Sequence, residues 1–253
     1  MVETIEILNE LESAGWNFPP EVWEQASDYE QEFIRNEFTG IRTLENYIRR
    51  LEFHGFVGMD RILDAGCGYG QWILAMSRLN TFVEGVDISE SRLNGAKSLA
   101  KPMEFNNTNF HQSPIEKLSF PNEHFDGIFC YGVFMFTHMP TALREFYRVM
   151  RPSGKLYISA NTIGWYLHLL MDVPWNRKNA LKMIVKTIMG YKKGIVVREK
   201  WLKKQLKSAV FNILSFGNEG EASTNPNSGL KSMPFYQKNY YGRPSILELI
   251  AVK

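Results

Sequence analysis

The sequence predicts an α/β protein built on a doubly wound, mostly parallel sheet, and three observations support this. From residue 61 onwards, short apolar runs alternate with longer stretches of helical spacing, as in βαβ units. The first apolar run enters a glycine-rich turn that opens a helix. Two more strand-like runs follow near the end of the sequence. An antiparallel pair added to a parallel sheet departs from the plan of the dinucleotide-binding dehydrogenases.

Residues 1–60 are expected to form a helical cap ahead of this core. Ile5, Leu8 and Leu11 recur at helical spacing, and further apolar residues do so in a second stretch. Two consecutive prolines beginning at Pro19 separate the stretches, and the second proline suits the first turn of a following helix.

The core itself is expected over residues 61–160. Strands are expected at residues 62–65, 82–87, 125–131 and 156–160. Helices are expected near residues 71–78, 89–99 and 140–150. This alternation predicts a parallel sheet with helices on its two faces.

Residues 161–208 interrupt the alternation and predict a helical insertion that acts as a lid. The stretch is aromatic and basic: between residues 174 and 216, eleven Lys and Arg residues face a single acid, Glu199. This asymmetry indicates contact with something anionic, although a solvated helix face would give the same pattern.

Residues 209–253 are expected to complete the core sheet. Strand-like runs at 210–216 and 246–252 flank a region rich in Gly, Asn and Ser at 217–229. The two runs predict an antiparallel hairpin at the carboxyl end of the fold.

The composition is that of a globular protein, with 44% hydrophobic and 22% charged residues. Cys67 and Cys130 are the two cysteines, and both lie in apolar runs that suit neither a disulfide framework nor a metal site. We expect a soluble protein in a reducing cytoplasm, without a secretory signal or a membrane span.

The segment from Asp64 to Gly70 carries the strongest chemical signal. Gly66, Gly68 and Gly70 follow a strand and open a helix, where a ligand must approach the backbone more closely than a Cβ would allow. The dinucleotide fingerprint requires glycine where this sequence has Gln71, so the spacing disfavours NAD.

Asp87 supplies the second signal. It ends the second predicted strand about 20 residues after the glycine turn, where a carboxylate accepts the ribose hydroxyls of an adenosine. A helix N-cap at Asp87 or Ser89 is also consistent with the pattern and does not exclude the ribose role.

Together these motifs resemble the class I S-adenosylmethionine-dependent methyltransferases, in particular the small-molecule branch (methyltransferase type 11) related to the ubiquinone and menaquinone biosynthesis enzymes. The matching pieces, in the order and spacing of that family, are LDAGCGYG at 63–70, GVDIS at 85–89, LSFP at 118–121, FDGI at 125–128 and EFYRVMRPSG at 145–154. The resemblance covers about residues 60–160. It implies a Rossmann-like, doubly wound sheet of seven strands, mostly parallel with an antiparallel C-terminal hairpin.

The resemblance also implies a cofactor, S-adenosyl-L-methionine, and its product, S-adenosyl-L-homocysteine. Gly66 and Gly68 would lie against the methionine part, and Asp64 would support the turn. Asp87 would hold the ribose and Ile88 would pack on the adenine. The backbone of Cys130 would contact the amino acid moiety near the methyl group.

One departure from the family concerns the adenine. Relatives often carry Gly-Asp-Ala where this sequence has Ser113, Pro114 and Ile115, so a carboxylate that would meet the adenine amine is missing. Ser113 and the backbone N–H of Ile115 are the expected substitutes, because Pro114 has no N–H to donate.

Catalysis of methyl transfer needs positioning and, for a hydroxyl or a protonated amine, a base. His138, just beyond the fourth predicted strand, is our candidate for base or substrate contact, and capping of the following helix is its alternative role. Tyr131 is a second catalytic candidate. The expected acceptor-site residues are Tyr29, Trp165, Tyr166 and His168, although aromatic residues at helical spacing more often pack in a core.

The sequence therefore predicts methyl transfer to a small polar metabolite, which the basic run suggests is anionic, for example phosphorylated or a sugar nucleotide. A nucleic-acid methyltransferase is the first alternative, since basic residues interleaved with aromatics suit phosphates and bases, but no separate RNA-binding module is present. A non-enzymatic protein that binds the cofactor or its product, and an NAD-dependent oxidoreductase, are the others.

Overall fold

The computed structural model describes residues 2–224 and 234–253, and it begins with four helices. These are α1 (Val2–Ser13), α2 (Pro20–Gln25), α3 (Asp28–Phe38) and α4 (Leu44–His54). Ser27 and Glu30 form a capping box that starts α3, and the Thr43 hydroxyl caps α4. Gly55, in the left-handed conformation, ends α4.

A seven-stranded sheet forms the centre of the molecule. Its strands are β1 (Arg61–Ala65), β2 (Phe82–Asp87), β3 (Thr108–Gln112), β4 (Phe125–Cys130), β5 (Met150–Asn161), β6 (Asn212–Asn218) and β9 (Ile246–Val252). The order across the sheet is β3-β2-β1-β4-β5-β9-β6. The first five strands are parallel, and β9 runs antiparallel to both of its neighbours. A separate two-stranded ribbon consists of β7 (Asn239–Tyr240) and β8 (Arg243–Pro244).

Helices cover both faces of the sheet. Three of them alternate with the parallel strands: α5 (Gln71–Ser77), α6 (Glu90–Ala100) and α7 (Met139–Val149). The stretch after β5 contains α8 (Ile163–Met171), α9 (Arg177–Ile188) and α10 (Glu199–Ser208). None of the helices in the described ranges is both long enough and apolar enough to cross a membrane.

Alternation along the strands creates two cores. In β5, Leu156 and Ile158 belong to the core that α7, α9 and α10 complete, whereas Tyr157 belongs to the core on the opposite face. That second core also contains Trp16, Phe38 and other residues of the N-terminal helices. The N-terminal helices therefore share a core with the sheet.

A buried ion cluster joins α4 to the far end of the chain. The Arg50 guanidinium donates to the carboxylates of Glu219, at 2.6 Å, and Glu248, at 2.5 Å, and all three side chains are fully buried. Burial opposes the charged guanidinium, but the two carboxylates raise the pKa of Arg50 well above its ordinary value. The Tyr157 hydroxyl also donates to Glu248. The cluster fixes α4 against β9 and the residues that follow β6.

The predicted fold class is confirmed, including the antiparallel C-terminal pair β6 and β9. That pair is not a tight hairpin, because β7, β8 and residues outside the described ranges lie between its strands. The predicted turn region 217–229 is described only as far as residue 224. The strand pattern misses β3, whose sequence Thr-Asn-Phe-His-Gln lies at the sheet edge and buries little.

Candidate functional site

The turn between β1 and α5 brings backbone to the carboxyl end of the sheet. Gly66, Gly68 and Gly70 all have positive φ, at +92°, +54° and +92°. The N–H groups of Gly66 and Cys67 donate to the carbonyl oxygen of Val86, which ties the turn to β2. A Cβ on Gly66 would come within 2.5 Å of Val133, whereas one on Gly68 would find its nearest atom at 3.9 Å. Gly66 thus permits close packing, and Gly68 borders open space.

Asp87, at the end of β2, holds this turn in place. Its Oδ2 accepts from the Gly68 N–H at 3.0 Å, and its Oδ1 accepts from the Ser89 N–H at 2.9 Å. Ser89, not Asp87, caps α6, since its hydroxyl accepts from the Arg92 N–H. A carboxylate has about four lone-pair positions, so Asp87 retains acceptor capacity for the hydroxyls of a ligand.

Two polar oxygens near the turn have no hydrogen-bond partner within the described part of the chain. They are Asp64 Oδ2 and Gln71 Oε1. Asp64 is buried beneath the turn, and burial together with the nearby Asp87 raises its pKa well above the ordinary value. Gln71 lies on the cavity wall. An unpaired buried oxygen is unfavourable, so the Gln71 amide oxygen on the cavity wall suits a ligand that brings a hydrogen-bond donor.

A cavity of about 450 Å³ opens at the carboxyl ends of β1, β2, β4 and β5. This is where ligands bind in open α/β sheets, and its volume is typical of small-molecule sites. Seven residues predicted from the sequence line it: Tyr29, Gly66, Gly68, Asp87, Ile88, Tyr131 and Trp165. Because they come from the N-terminal cap, the core and the insertion, all three regions contribute to the walls.

An adjoining cavity of about 370 Å³ contains the predicted adenine contacts. Ser113, Pro114 and Ile115 line it together with Asp87 and Ile88. The Ser113 hydroxyl donates to the Lys117 carbonyl oxygen at 2.7 Å, so its proton is already engaged. Ile88 is 72% exposed, although it is a large apolar residue, and its side chain offers an apolar surface at the edge of the cavity.

A third cavity, of about 450 Å³, extends under the insertion and is basic. It shares Tyr29, Phe136, Asn161 and Trp165 with the first cavity. Its remaining wall includes Tyr166 and three lysines, Lys182, Lys186 and Lys193. The shared residues make it an extension of the first cavity towards positive charge.

Four predicted residues lie away from the walls of these three cavities. Asp64 and Cys130 are buried, and burial raises the pKa of the Cys130 thiol well above its ordinary value. His138 stands at the N-cap position of α7, but its Nδ1 lies 2.7 Å from the Thr141 hydroxyl and makes no backbone cap. His168 pairs with Asp172 at 2.7 Å and stacks on Tyr240. The predicted roles of the Cys130 backbone in cofactor binding, of His138 in catalysis and of His168 in the acceptor site stay predictions.

Other residues on the wall of the first cavity were missed by the sequence analysis. The most informative are Glu37 and Tyr236, whose hydroxyl donates to Glu37 at 3.0 Å. Glu37 also accepts from Arg42 at 2.6 Å. Burial and the Glu37 carboxylate raise the pKa of Tyr236, so the phenol stays protonated. The two residues lie far apart in sequence and neither belongs to a motif, so no local signal could have paired them.

The remaining residues on this wall that the sequence analysis missed are Phe33, Gln71, Arg92, Gly132, Val133, Phe136, Ser159, Asn161 and Ile246. Gln71 directly follows the glycine motif. The others come from helices, strand ends and the loop after β4, and no motif marks them.

Residues 63–158 match the family model described as a methyltransferase domain, over the same stretch that carries the sequence motifs. An uncharacterized methyltransferase, YcgJ of Bacillus subtilis, is 34% identical over 99 residues, 39% of each chain. A ubiquinone/menaquinone biosynthesis C-methyltransferase, UbiE of Pseudomonas entomophila, is 34% identical over 113 residues, 43% of this chain and 44% of the relative. The chain thus spans about two fifths of the length of these relatives.

The structure of an S-adenosylmethionine-dependent methyltransferase from Mesorhizobium loti superposes with a TM-score of 0.57. The superposition covers 81% of this chain and 95% of the other, at 17% sequence identity. At that identity the likeness establishes the fold.

Proposed function

We propose that the protein transfers the methyl group of S-adenosylmethionine to a small acceptor carrying an anionic group, and the match of residues 63–158 to a methyltransferase domain supports this. The observation that carries this proposal is the lined cavity at the carboxyl ends of the strands, with Asp87 and the glycine turn on one side and lysines beyond it.

The residues of the turn and β2 suit the cofactor. Asp87 is fixed by the Gly68 and Ser89 N–H groups, so it can accept ribose hydroxyls without reorganising. Gly68 leaves room for the methionine part, and the unpaired Gln71 Oε1 can accept from its ammonium group. When bound, the cofactor supplies an electrophilic methyl group on a sulfonium. Ile88 and residues 113–115 would enclose the adenine.

The acceptor would lie between the aromatic wall and the lysines. Trp165, Phe136 and Tyr29 border both the first cavity and the basic extension, so one molecule can reach from the glycine turn to Lys182 and Lys186. An anionic group near the lysines would orient the opposite end of the acceptor towards the turn, and such positioning is the main contribution an enzyme makes to a displacement reaction.

Proton removal, where the acceptor requires it, has two candidates. His138 is the one predicted from the sequence. The structure adds Glu37 on the cavity wall, whose Oε1 accepts a hydrogen bond from the Tyr236 hydroxyl. A hydroxyl acceptor that donates to the Tyr236 oxygen would lose its proton to Tyr236 as Tyr236 passes its own proton to this carboxylate.

The first test is calorimetric titration with S-adenosylhomocysteine, with NAD as the control ligand. We expect the wild type to bind and Asp87→Ala to bind about 10- to 100-fold more weakly, because hydrogen bonds to a charged group contribute about 1.5–3 kcal/mol. Asp87→Asn keeps the shape of the side chain and separates charge from packing. No binding by the wild type, or binding of NAD instead, would remove the basis of the proposal.

The second test addresses the acceptor. Purified protein and labelled S-adenosylmethionine are screened against matched anionic and neutral acceptors. For an anionic acceptor that is methylated, Lys182→Glu and Lys186→Glu should raise KM at least tenfold, whereas Lys200→Glu on α10, outside the cavity, should not. Unchanged KM in both cavity variants would contradict the anionic acceptor, and cofactor binding without transfer to any acceptor would favour a binding protein.

A further inference from the structure

Helix α9 has two apolar faces, and one of them faces outwards. Its inner face packs into the core through the buried side chains of Ala180 and Met183. Leu181, Val185 and Ile188 are nevertheless 55%, 44% and 81% exposed. Their i, i+4, i+7 spacing aligns them in one stripe on the opposite side of the helix. Packing on the core needs the inner face alone, so the outer stripe is unexplained by the fold.

Other exposed large apolar side chains flank the helix in the sequence. Met171 and Trp175 precede α9 and are exposed, as are Met189 and Tyr191 after it. No residue within 2–224 or 234–253 covers the stripe, since these exposures already include every described neighbour. Exposed apolar patches of this kind usually mark interaction surfaces.

The same stretch carries only positive charge. Between Val173 and Arg198 the sequence contains no Asp or Glu, and its basic residues are Arg177, Lys178, Lys182, Lys186, Lys192, Lys193 and Arg198. On the helix, Lys178 and Lys182 lie beside the stripe at adjacent angular positions. The outward side of α9 therefore combines a row of aliphatic side chains with cations along its flank.

We propose that this surface, the α9 face (Leu181, Val185 and Ile188 with Lys178), binds to the surface of an anionic lipid bilayer. A helix with an aliphatic stripe and flanking lysines lies in the interfacial plane, with the stripe at the acyl boundary and the ammonium groups at anionic head groups. Binding of this kind needs no membrane-spanning helix.

The charge pattern favours a lipid surface over the other possible occupants. Two copies of the chain meeting through this face would bring two exclusively cationic surfaces together, which is unfavourable. Nucleic acid would use the lysines and could stack on Trp175 and Tyr191, but the aliphatic row of α9 cannot stack on bases and would be left in contact with phosphate and water. An anionic bilayer would bury the aliphatic stripe at its acyl boundary and pair the lysines with anionic head groups.

The test is flotation of the full chain with vesicles of phosphatidylcholine alone, or of phosphatidylcholine and phosphatidylglycerol in equal parts. We expect binding to the anionic vesicles and little to the neutral ones. The triple variant Leu181→Gln, Val185→Gln, Ile188→Gln should partition at least roughly tenfold less. Its matched control carries Ile5→Gln, Ile41→Gln and Leu214→Gln, three residues that are 55%, 50% and 53% exposed elsewhere on the surface, and should bind like the wild type.

A charge variant provides an independent arm. Lys178→Glu should weaken binding to the anionic vesicles, whereas Lys207→Glu, on α10, should do so less. Circular dichroism and titration with S-adenosylhomocysteine show that each variant is folded, and neither readout depends on membrane binding. None of the α9 face residues lines the described cavities, so failure of this proposal leaves the proposed function untouched.

Three results would overturn the proposal. The first is absence of binding to anionic vesicles, and the second is equal loss in the stripe variant and its matched control. The third is another occupant: a dimer in light scattering that the stripe variant abolishes would identify a second copy, and RNA binding abolished by Lys178→Glu would identify nucleic acid.

Discussion

At the scale of single residues, two glycines with similar positive φ allow the effect of a side chain on ligand binding to be distinguished from its effect on backbone strain. Gly132 and Gly190 have φ of +70° and +76°, and a Cβ on either would meet nothing within 4 Å. Gly132 lines the cavity and Gly190 does not. We expect Gly132→Ala and Gly190→Ala to lose similar stability, about 1 kcal/mol each, but only Gly132→Ala to weaken S-adenosylhomocysteine binding, at least tenfold. Urea denaturation and calorimetry measure the two effects, and equal affinities would contradict the cavity assignment.

A single histidine should make stability depend on pH. His54 is fully buried, and its Nδ1 lies 2.6 Å from the Ala222 carbonyl oxygen. Burial and, to a lesser extent, the positive charge of the nearby Arg50 lower the pKa of His54 to about 3. The folded protein therefore keeps His54 neutral, while the unfolded chain takes up a proton as the pH falls below about 6.5. Stability from this group is complete above that pH and is lost towards pH 3.

We expect the free energy of unfolding to fall by about 2 kcal/mol more in the wild type than in His54→Gln between pH 7 and pH 5. Asp64, whose raised pKa acts in the opposite direction, is present in both proteins and cancels in the difference. Urea denaturation of both proteins between pH 7 and pH 5 measures this difference in unfolding free energy. Parallel pH profiles for the two proteins would show that His54 does not titrate differently on folding.

At the scale of elements, the Arg50 cluster links helix α4 to strand β9. Arg50→Met leaves Glu219 and Glu248 buried without their cation, and removal of one partner from a buried ion pair costs about 3–5 kcal/mol. The neighbouring Arg49 pairs with Glu45 on the surface, so Arg49→Ala should cost only about 0.2–1 kcal/mol. Chemical denaturation of both variants tests the contrast, and a similar small loss in both would mean that the cluster does not stabilise the fold.

The elements also show where sequence patterns stop being informative. Strands β1, β2, β4 and β9 are buried, and their apolar runs predict them. Strand β3 pairs with β2 alone and exposes most of its side chains, so selection for apolar residues is weak there. Its hydrogen bonds to β2 hold it in the sheet, and backbone pairing leaves little trace in a sequence.

At the scale of the whole molecule, the N-terminal helices and the sheet should unfold together. Trp16, Phe38, Tyr47 and Leu51 are fully buried in the same core as Tyr157 of β5. A chain that begins at residue 55 would expose this face of the sheet, so we expect it to lack a cooperative unfolding transition. Circular dichroism and tryptophan fluorescence should give coincident transitions for the full chain. A cooperative transition in the shorter chain would make the helices a separable domain.

The sequence by itself predicted the class of fold and the methyltransferase domain over residues 63–158, because both depend on local patterns. Strand and helix periodicity, the Gly66–Gly70 turn and the carboxylate of Asp87 lie within about 25 residues of one another or repeat at fixed spacing. The cavity then brought together most of the residues selected for cofactor and acceptor, including Tyr29, Ile88 and Trp165.

Tertiary structure alone decided the remainder of the site. It paired Glu37 with Tyr236, buried Arg50 between two carboxylates and turned the stripe of α9 outwards. Each depends on which distant segments pack together, or on which side of an amphipathic helix meets the core. Such contacts follow from the burial of surface by the whole chain, and periodicity within one helix or strand does not encode them.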